Sequence, residues 1–227
     1  MNLGPYLLGP NDTPENGIYI GDARELAKAI PDESIDLIFT DPPYLKEYLP
    51  LYDWLSNQSR LVKDTGFLFM YTGGYWKDEV MSYFRNSGWE YFWDYTVGMP
   101  GNNSLMWPRK TIARAKSILC YRPVTGHGMP RYNVLDLWIG SAQDKRFHTW
   151  GQEESAARYY IESFTTVEQV VLDPFAGGGT SAAMAKVLGR KYLSFEIIPF
   201  EAQNARSRIK KTQPPLPIEM PTQEVLL

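Results

Sequence analysis

A short strand that runs into a glycine loop constrains the fold of this chain more than any other feature. Residues 170–172 are the apolar run Val-Val-Leu, and residues 173–180 then read Asp-Pro-Phe-Ala-Gly-Gly-Gly-Thr. The small residues Gly177, Gly179 and Ala182 fit the G-x-G-x-x-G/A spacing, which allows a tight turn and lets a ligand approach the backbone closely. The pattern predicts a buried strand, a loop and a following helix.

The loop is followed by an acidic residue at the distance that a nucleotide-like cofactor requires. Residues 192–195 form a second apolar run, and Glu196 ends it nineteen positions after Gly177. In dinucleotide-binding βαβ units, an acid about 20 residues beyond the loop binds ribose hydroxyls. A βαβ unit is therefore predicted, with a merely structural glycine turn in a doubly wound sheet as the alternative.

Asp173 indicates which cofactor the loop binds. In a nicotinamide-binding loop its carboxylate would lie near the pyrophosphate and repel it. S-adenosylmethionine carries an α-ammonium group that Asp173 could attract, while amide groups at the helix N-terminus could receive the methionine carboxylate. The sequence therefore favours S-adenosylmethionine, and a dinucleotide-dependent oxidoreductase is the alternative from another class.

A second buried run ends in the tetrapeptide Asp41-Pro42-Pro43-Tyr44. Residues 35–40 are apolar and β-rich, and they are too few for a helix before the prolines begin. The prolines fix φ, lack an N–H donor and favour extended geometry in the residue before each of them. A strand is thus predicted to deliver Asp41 to a rigid loop at the edge of a sheet.

Such a loop suits the transfer of a group to the exocyclic amino group of a nucleic-acid base. That nitrogen is a poor nucleophile, because its lone pair is delocalised into the ring. The Asp41 carboxylate and the Pro42 carbonyl could accept its N–H bonds, favour a pyramidal nitrogen and free the lone pair for attack. Tyr44 could stack on a base that has swung out of the duplex. A strand followed by a structural Pro-Pro turn is the alternative.

Together, the two motifs resemble those of the DNA amino-methyltransferases, which act on adenine N6 or cytosine N4. In the group that the chain resembles, the catalytic DPPY motif precedes the cofactor motif, as it does here. The resemblance covers residues 18–208 and includes the segments 19–23, 34–40 and 188–191. It implies an α/β fold, a single Rossmann-like methyltransferase domain with a mixed seven-stranded sheet and helices on both faces. It also implies S-adenosylmethionine as cofactor and double-stranded DNA as partner.

The resemblance also assigns residues to the site. The catalytic residues are Asp41, Pro42, Pro43 and Tyr44. The cofactor-binding residues are Asp22, Ala23, His148, Gln152, Asp173, Phe175, Gly177, Gly179, Thr180 and Glu196. Asp22 is expected against the adenine of the cofactor, and residues 148–152 are expected to close over its methionine end. That segment departs from the His-Pro-Thr-Gln-Lys-Pro of many members, because Trp150 stands in it and the lysine and proline are absent.

Two locally basic stretches that are punctuated by glycine and proline are expected to contact DNA. Residues 99–115 and 124–146 interleave aromatic with basic side chains. Arginine and lysine could neutralise phosphates, and asparagine could read an adenine edge. The candidates are Asn102, Asn103, Arg109, Lys110, Arg114 and Arg131. Two solvated loops are the alternative, and the short length of the segment suggests a small site, a second subunit such as a homodimer partner, or a helper protein.

Composition fits this class and excludes others. With 227 residues and 44% hydrophobic content, the chain can bury one α/β core. Its net charge of −3 is not that of a protein that coats DNA, so duplex contacts must be local. No stretch is apolar enough to span a bilayer and the first residues show no signal pattern, so a soluble, cytoplasmic protein is expected.

The single cysteine narrows the chemistry further. One cysteine excludes a disulfide framework and a multi-cysteine zinc site, and no metal is expected. Methylation at cytosine carbon 5 would need a cysteine nucleophile, normally from a Pro-Cys pair in a loop. Cys120 instead lies in the strand-like residues 117–121. A buried structural cysteine is therefore predicted.

These features predict one methyltransferase domain over residues 1–227. Its catalytic half spans about 18–98 and its cofactor half about 148–210, with the two recognition insertions between them and a proline-rich tail after residue 210. The predicted reaction is methyl transfer from S-adenosylmethionine to adenine N6 in DNA after base flipping. Adenine is favoured because Asp opens the catalytic motif, where serine is commoner among cytosine enzymes of the resembled family. Cytosine N4, RNA adenine, and an inactive nucleic-acid-binding module with a vestigial pocket are the alternatives.

Overall fold

A mixed eight-stranded β-sheet organises the protein. The computed structural model describes residues 12–13, 15–99, 104–107, 109–139 and 154–213. In the first half of the chain, strands alternate with helices. These elements are β1 (Gly17–Ile20), α1 (Ala23–Leu26), β2 (Ile35–Thr40), α2 (Leu49–Ser56), β3 (Val62–Thr72), α3 (Lys77–Phe84) and β4 (Trp89–Gly98).

The second half begins with a small hairpin and ends with the cofactor motif. Its elements are β5 (Ser104–Met106), β6 (Thr111–Ala113), β7 (Ala115–Pro123), β8 (Leu137–Ile139), α4 (Glu154–Phe164), β9 (Val170–Asp173), α5 (Thr180–Val187), β10 (Lys191–Glu196) and α6 (Pro199–Lys211). Strands β5 and β6 form a separate two-stranded antiparallel sheet.

The strand order of the main sheet is β1-β10-β9-β2-β3-β7-β4-β8. β7 runs antiparallel to both of its neighbours, and the other neighbouring pairs are parallel. The predicted mixed α/β sheet with helices on both faces is confirmed, with one strand more than the seven expected. The additional strand is β8, a three-residue edge strand that pairs with β4. A strand of three residues is too short to show an alternating hydrophobic pattern in the sequence. It forms because the neighbouring strand offers it hydrogen bonds.

Alternate side chains of the central strands fill two cores, one on each face of the sheet. Leu37 and Phe39 of β2 belong to the core that α4, α5 and α6 cover, and Ile38 between them belongs to the core under α1, α2 and α3. This alternation follows from the two-residue period of a strand. Because both faces of β2 are covered, its sequence is an almost continuous apolar run.

The chain reverses its lateral direction between β2 and β9, which are neighbours in the sheet. From β2 it continues to β3 on one side, and from β9 it continues to β10 on the other. In open α/β sheets such a switch point leaves a crevice outside the carboxyl ends of the strands, where ligands bind. Asp41 follows the carboxyl end of β2 and Asp173 ends β9. The topology therefore brings the two sequence motifs to the same crevice.

Cys120 is completely buried within β7. Burial raises the pKa of its thiol well above the usual value. A thiol that stays protonated and enclosed is not a nucleophile, so the prediction of a structural cysteine is confirmed.

Two further findings concern the described residues alone. None of the helices there is long and apolar enough to cross a membrane. Within the same ranges, no three His, Cys, Asp or Glu side chains form a group that could hold a metal ion.

Candidate active site

The catalytic motif places Asp41 at the centre of a hydrogen-bonded group. The Tyr44 hydroxyl donates to Asp41 Oδ1, and the Lys116 ammonium donates to Asp41 Oδ2 over 3.2 Å. Lys116 comes from β7, 75 residues along the chain. The side chains of Lys116 and Asp41 are 17% and 20% exposed. Each carboxylate oxygen thus has a donor, and the carboxylate is held in one orientation near the surface.

The Pro42 carbonyl is oriented by helix α2. The Tyr52 hydroxyl donates to the Pro42 oxygen over 3.2 Å, and both residues are buried. Burial raises the pKa of the Tyr52 hydroxyl well above its usual value, so it keeps the proton that it donates. A carbonyl oxygen accepts two hydrogen bonds, and one lone pair of Pro42 is left for a substrate. Pro43 is exposed and contributes the fixed φ of its ring.

Tyr44 lies against the carboxyl end of β3. A Cβ atom at Gly73, directly after that strand, would lie 2.9 Å from Tyr44 Cβ, so the glycine is what leaves room for the ring. The Lys116 ammonium lies 5.1 Å from the ring centroid, within the range of a cation–π contact. Burial, reinforced by the charge of Asp41, raises the pKa of the Tyr44 hydroxyl well above its usual value. Tyr44 therefore stays a neutral donor to Asp41.

Asp173 lies beside the end of β2. The Thr40 hydroxyl donates to Asp173 Oδ1 over 2.7 Å, and the backbone N–H of Phe175 donates to the same oxygen over 3.1 Å. Burial raises the pKa of Asp173 to about 6, although hydrogen bonds from Ser181, Thr40 and Phe175 oppose the rise. None of the ion pairs among the described residues involves Asp173. A buried carboxylate in this state suits the ammonium group of an amino-acid-like cofactor.

Glu196 fixes the glycine loop from β10. Its two carboxylate oxygens accept from the backbone N–H groups of Gly177 and Ile198, each over 2.8 Å. The acid and the first glycine of the predicted motif are therefore in direct contact. Gly177 and Gly179 have φ values of 47° and 72°, in the left-handed region that favours glycine.

Arg208 fixes the same loop from α6. Its guanidinium donates to the Gly178 carbonyl over 3.0 Å and to the Thr180 hydroxyl over 2.8 Å. It also pairs with Glu154, the first residue of α4. Arg208 is buried, so its charge is satisfied by groups of the protein, and the loop is tied to two helices at once.

Asp22 and Ala23 lie at the same edge of the sheet as Glu196. Ile20, which ends β1, is paired with Glu196 in β10. Asp22 caps α1 by accepting from the backbone N–H of Arg24, and hydrogen bonds from the Arg24 side chain lower the pKa of the Asp22 carboxyl. The Asp22 carboxylate is thus charged, and both of its oxygens accept hydrogen bonds from Arg24.

Phe175 lies between the two halves of the site. Its ring meets the Trp54 ring of α2 edge to face, with 6.1 Å between the centroids. An aromatic side chain of the cofactor motif thus packs on the helix whose Tyr52 orients the catalytic motif.

The first basic stretch lies at the same edge of the sheet as Asp41. The hairpin of β5 and β6 lies between the end of β4 and the beginning of β7. The Arg109 guanidinium lies 4.9 Å from the ring centroid of Tyr75, which follows β3. The Arg114 carbonyl accepts from the backbone of Met99. The side chains of this stretch that can meet a phosphate are all exposed: Arg109, Lys110 and Arg114.

Arg131 lies at the other end of the sheet. Its backbone N–H and its guanidinium donate to the carbonyls of Ser163 and Glu162, at the end of α4. Residues just before it contact Asp64, near the amino-terminal end of β3, whereas Asp41 lies at the carboxyl end of β2. The structure does not bring Arg131 together with the other candidates. Four further candidates lie outside the described residues: Asn102, Asn103, His148 and Gln152.

The sequence did not reveal four residues that hold the site together: Thr40, Tyr52, Lys116 and Arg208. Each of them contacts a motif residue through the folded structure. The sequence offers a hint for two of them, Lys116 and Arg208, because each is a charged residue on an element that becomes buried. A buried charge requires a partner. The identity of that partner cannot be read from the sequence.

Known proteins resemble this chain in sequence and in fold. A family model described as DNA methylase, of the N6/N4 type, matches residues 131–207. The type II methyltransferase M.PvuII of Proteus hauseri is 37% identical over 280 residues, which cover 84% of this chain and 82% of the relative. M.HinfI of Haemophilus influenzae is 27% identical over 266 residues, which cover 92% of this chain and 73% of the relative.

Two solved structures have the same fold. The PvuII DNA methyltransferase, described as cytosine-N4-specific, has a TM-score of 0.75 at 19% identity, over 87% of each chain. The M1.HpyAVI–SAM complex has a TM-score of 0.73 at 22% identity, over 84% of this chain and 98% of the other. The extent of the match to M.PvuII and the two motifs in one crevice show that this chain belongs to the DNA amino-methyltransferases of adenine N6 and cytosine N4, in the group whose DPPY motif precedes the glycine motif.

Proposed function

We propose that the protein transfers the methyl group of S-adenosylmethionine to the N6 amino group of adenine in double-stranded DNA. The 2.7 Å hydrogen bond from Thr40 to Asp173 carries this proposal, because it joins the strand before the catalytic motif to the residue that opens the cofactor motif. Asp41 follows Thr40 directly. An amine held by Asp41 and a methyl donor held by Asp173 would therefore share one crevice, as in-line transfer requires.

Asp41 and Pro42 would hold the amino group of the target. Each offers an oxygen to one N–H bond, and the Asp41 carboxylate also stabilises the positive charge that develops on the attacking nitrogen. Tyr44 and Tyr52 hold these two acceptors in place before the base arrives. Little reorganisation is then needed during the reaction. The Tyr44 ring would stack on the flipped base.

The cofactor supplies an activated methyl group on a sulfonium. Asp173 would bind its ammonium, while Glu196 and Asp22 lie together at the edge where the ribose and the adenine are expected. The left-handed φ values of Gly177 and Gly179 give the loop its tight turn, and Gly179 lets the loop pack closely against Ala205 of α6. The structurally similar M1.HpyAVI was solved with SAM, which supports the same cofactor here.

Cytosine N4 is the second candidate target. It is favoured by the similarity to PvuII DNA methyltransferase, which is described as cytosine-N4-specific. Both target nitrogens are exocyclic amines conjugated with a ring, so the same two acceptors could serve either base. Adenine is proposed first because the motif opens with the charged acceptor Asp41 rather than with the serine that is commoner in cytosine enzymes.

Duplex contact is proposed at the hairpin of β5 and β6. Arg109, Lys110 and Arg114 place positive charge beside the crevice, and Trp107 between the two strands is 68% exposed. Arginine and lysine at such positions bind phosphates and fix the register of a duplex. A local basic surface of this kind is compatible with the negative net charge of the chain.

Product analysis tests the proposed reaction. The protein is incubated with methyl-labelled S-adenosylmethionine and mixed-sequence duplex DNA, and the nucleosides are identified by mass spectrometry. We expect N6-methyladenine. N4-methylcytosine would favour the second candidate, and the absence of both products would contradict the proposed function. Parallel reactions with RNA show which of the two nucleic acids is the substrate. The control variant Asp53→Asn changes an exposed residue of α2 and should be as active as the wild type.

The raised pKa of Asp173 predicts that cofactor affinity depends on pH. Asp173 attracts an ammonium group only when it is ionised, and its pKa is about 6. The fraction of protein that can bind should therefore fall as the pH drops below that value. We expect the dissociation constant of S-adenosylmethionine to rise about tenfold per pH unit below 6. Calorimetric titrations between about pH 5 and about pH 7 measure this, and a flat profile would contradict the role given to Asp173.

A further inference from the structure

Lys116 makes two contacts at the catalytic motif that no sequence motif predicts. Its ammonium lies 3.2 Å from Asp41 Oδ2 and 5.1 Å from the centroid of the Tyr44 ring. A second ring, that of Tyr71, lies 5.5 Å away. The ammonium therefore lies in a slot that a carboxylate and two aromatic rings form at the carboxyl ends of β2 and β3.

Two of these partners, Asp41 and Tyr44, are the ones that the proposed function assigns to the target base. The base is expected to donate an N–H bond to Asp41 and to lie against the Tyr44 ring. We infer that Lys116 fills the place of the target amino group while DNA is absent, and that a flipped base must displace it. This inference rests on the proposed function, because it takes Asp41 and Tyr44 as the binding groups for the base.

The chemistry of the reaction supports displacement. The attacking nitrogen becomes positively charged as it receives the methyl group, and a second positive charge on the same carboxylate would oppose that change. The donor sites of a lysine lie at the end of a flexible stem of four carbons, so the ammonium can leave without movement of the strand. The Lys116 side chain is itself 17% exposed, so it already borders solvent.

Displacement gives Lys116 a defined effect as a positioning residue. In the resting protein it keeps the Asp41 carboxylate neutralised and the Tyr44 ring in contact with a cation. In the DNA complex it competes with the base for the same groups. Removal of the charge should therefore favour entry of the target base, whereas a general phosphate contact would have the opposite effect.

The experiment compares Lys116→Met, which removes the charged group and keeps the unbranched stem, with Lys116→Arg, which keeps the charge. Fluorescence anisotropy measures binding to two duplexes. In the first, the unmethylated target base stands opposite an abasic site; the second lacks the target base. The ratio of the two affinities reports entry of the base into the crevice. We expect Lys116→Met to raise this ratio about fivefold and Lys116→Arg to leave it within about twofold of the wild type.

The same substitution made in an Asp41→Ala variant shows whether Lys116 and the target base compete for Asp41. In Asp41→Ala protein, Lys116→Met should change the ratio by less than about twofold, because the shared partner is absent. An unchanged or lowered ratio in the single variant would overturn the inference, and so would an increase of equal size in both backgrounds. Thermal unfolding confirms that the variants are folded. Product analysis of the wild type is independent of these ratios, so failure of the proposed function is distinguished from failure of the inference.

Discussion

Replacement of Asp41 by alanine should abolish methyl transfer and leave cofactor binding unchanged. In the proposed reaction the carboxylate holds the target nitrogen and stabilises the charge that forms on it, so its loss should affect the transition state more than the ground state. We expect kcat to fall about 1000-fold, which corresponds to ~4 kcal/mol of transition-state stabilisation. Single-turnover methylation of duplex DNA measures the first effect, and calorimetric titration with S-adenosylmethionine measures the second.

Two further variants show that the effect is specific. Asp41→Asn keeps an oxygen acceptor of the same shape, so its rate should lie between those of wild type and alanine variant. Asp53→Ala removes an exposed carboxylate from α2 and should leave the rate unchanged. If Asp41→Ala weakened cofactor binding as much as it slowed the reaction, the division between a target side and a cofactor side would be wrong.

Replacement of Asp173 by asparagine should weaken cofactor binding and at the same time stabilise the protein. The neutral amide keeps an oxygen for the hydrogen bonds from Thr40 and Phe175 but cannot attract an ammonium. We expect the affinity for S-adenosylmethionine to fall about 100-fold, or ~3 kcal/mol, as when one partner of a buried ion pair is removed. Titration at pH 7 measures this loss, and Asp41→Asn is the matched control that should bind normally.

The gain in stability follows from the pKa of Asp173. The folded protein holds a proton on this carboxyl up to about pH 6, whereas an aspartate in the unfolded chain has an ordinary pKa of 3.8. Stability therefore falls as the pH rises through this window, and above it the ionised group costs the fold up to ~3 kcal/mol. Asp173→Asn removes that cost, so its melting temperature should exceed that of the wild type by several degrees at pH 7 and by little near pH 4. A variant that is less stable at both pH values would contradict this account.

The sequence predicts the parts of the site that depend on local pattern. Two apolar runs end in Asp41 and Asp173, so strand patterns predict a carboxylate at the end of each strand. That the two strands are neighbours, which brings the motifs into one crevice, is a property of the folded sheet. The spacing of a βαβ unit predicts an acid at the end of the strand that follows the glycine loop, and the structure adds that Glu196 contacts Gly177 of that loop.

Other parts depend on contacts between distant segments. Lys116 begins a strand-like run like any other, and its approach to Asp41 exists because β7 lies beside β3 in the folded sheet. For Arg131 the sequence pattern predicts a DNA contact together with the other basic candidates. In the structure its guanidinium is instead bound by a carbonyl at the end of α4. The position of Arg131 depends on the carbonyl groups at the end of α4 that are available to accept its hydrogen bonds. Charge and loop composition do not reveal which carbonyl groups these will be.

The position of β1 has a consequence for how the protein folds. This strand precedes the catalytic motif in the chain, yet it pairs with β10 at the far edge of the cofactor half. Neither half can therefore complete its own hydrogen-bonded sheet before the other is present. We expect the two halves to unfold in one cooperative transition, in which S-adenosylmethionine protects the DPPY side as strongly as the glycine loop that is proposed to bind it.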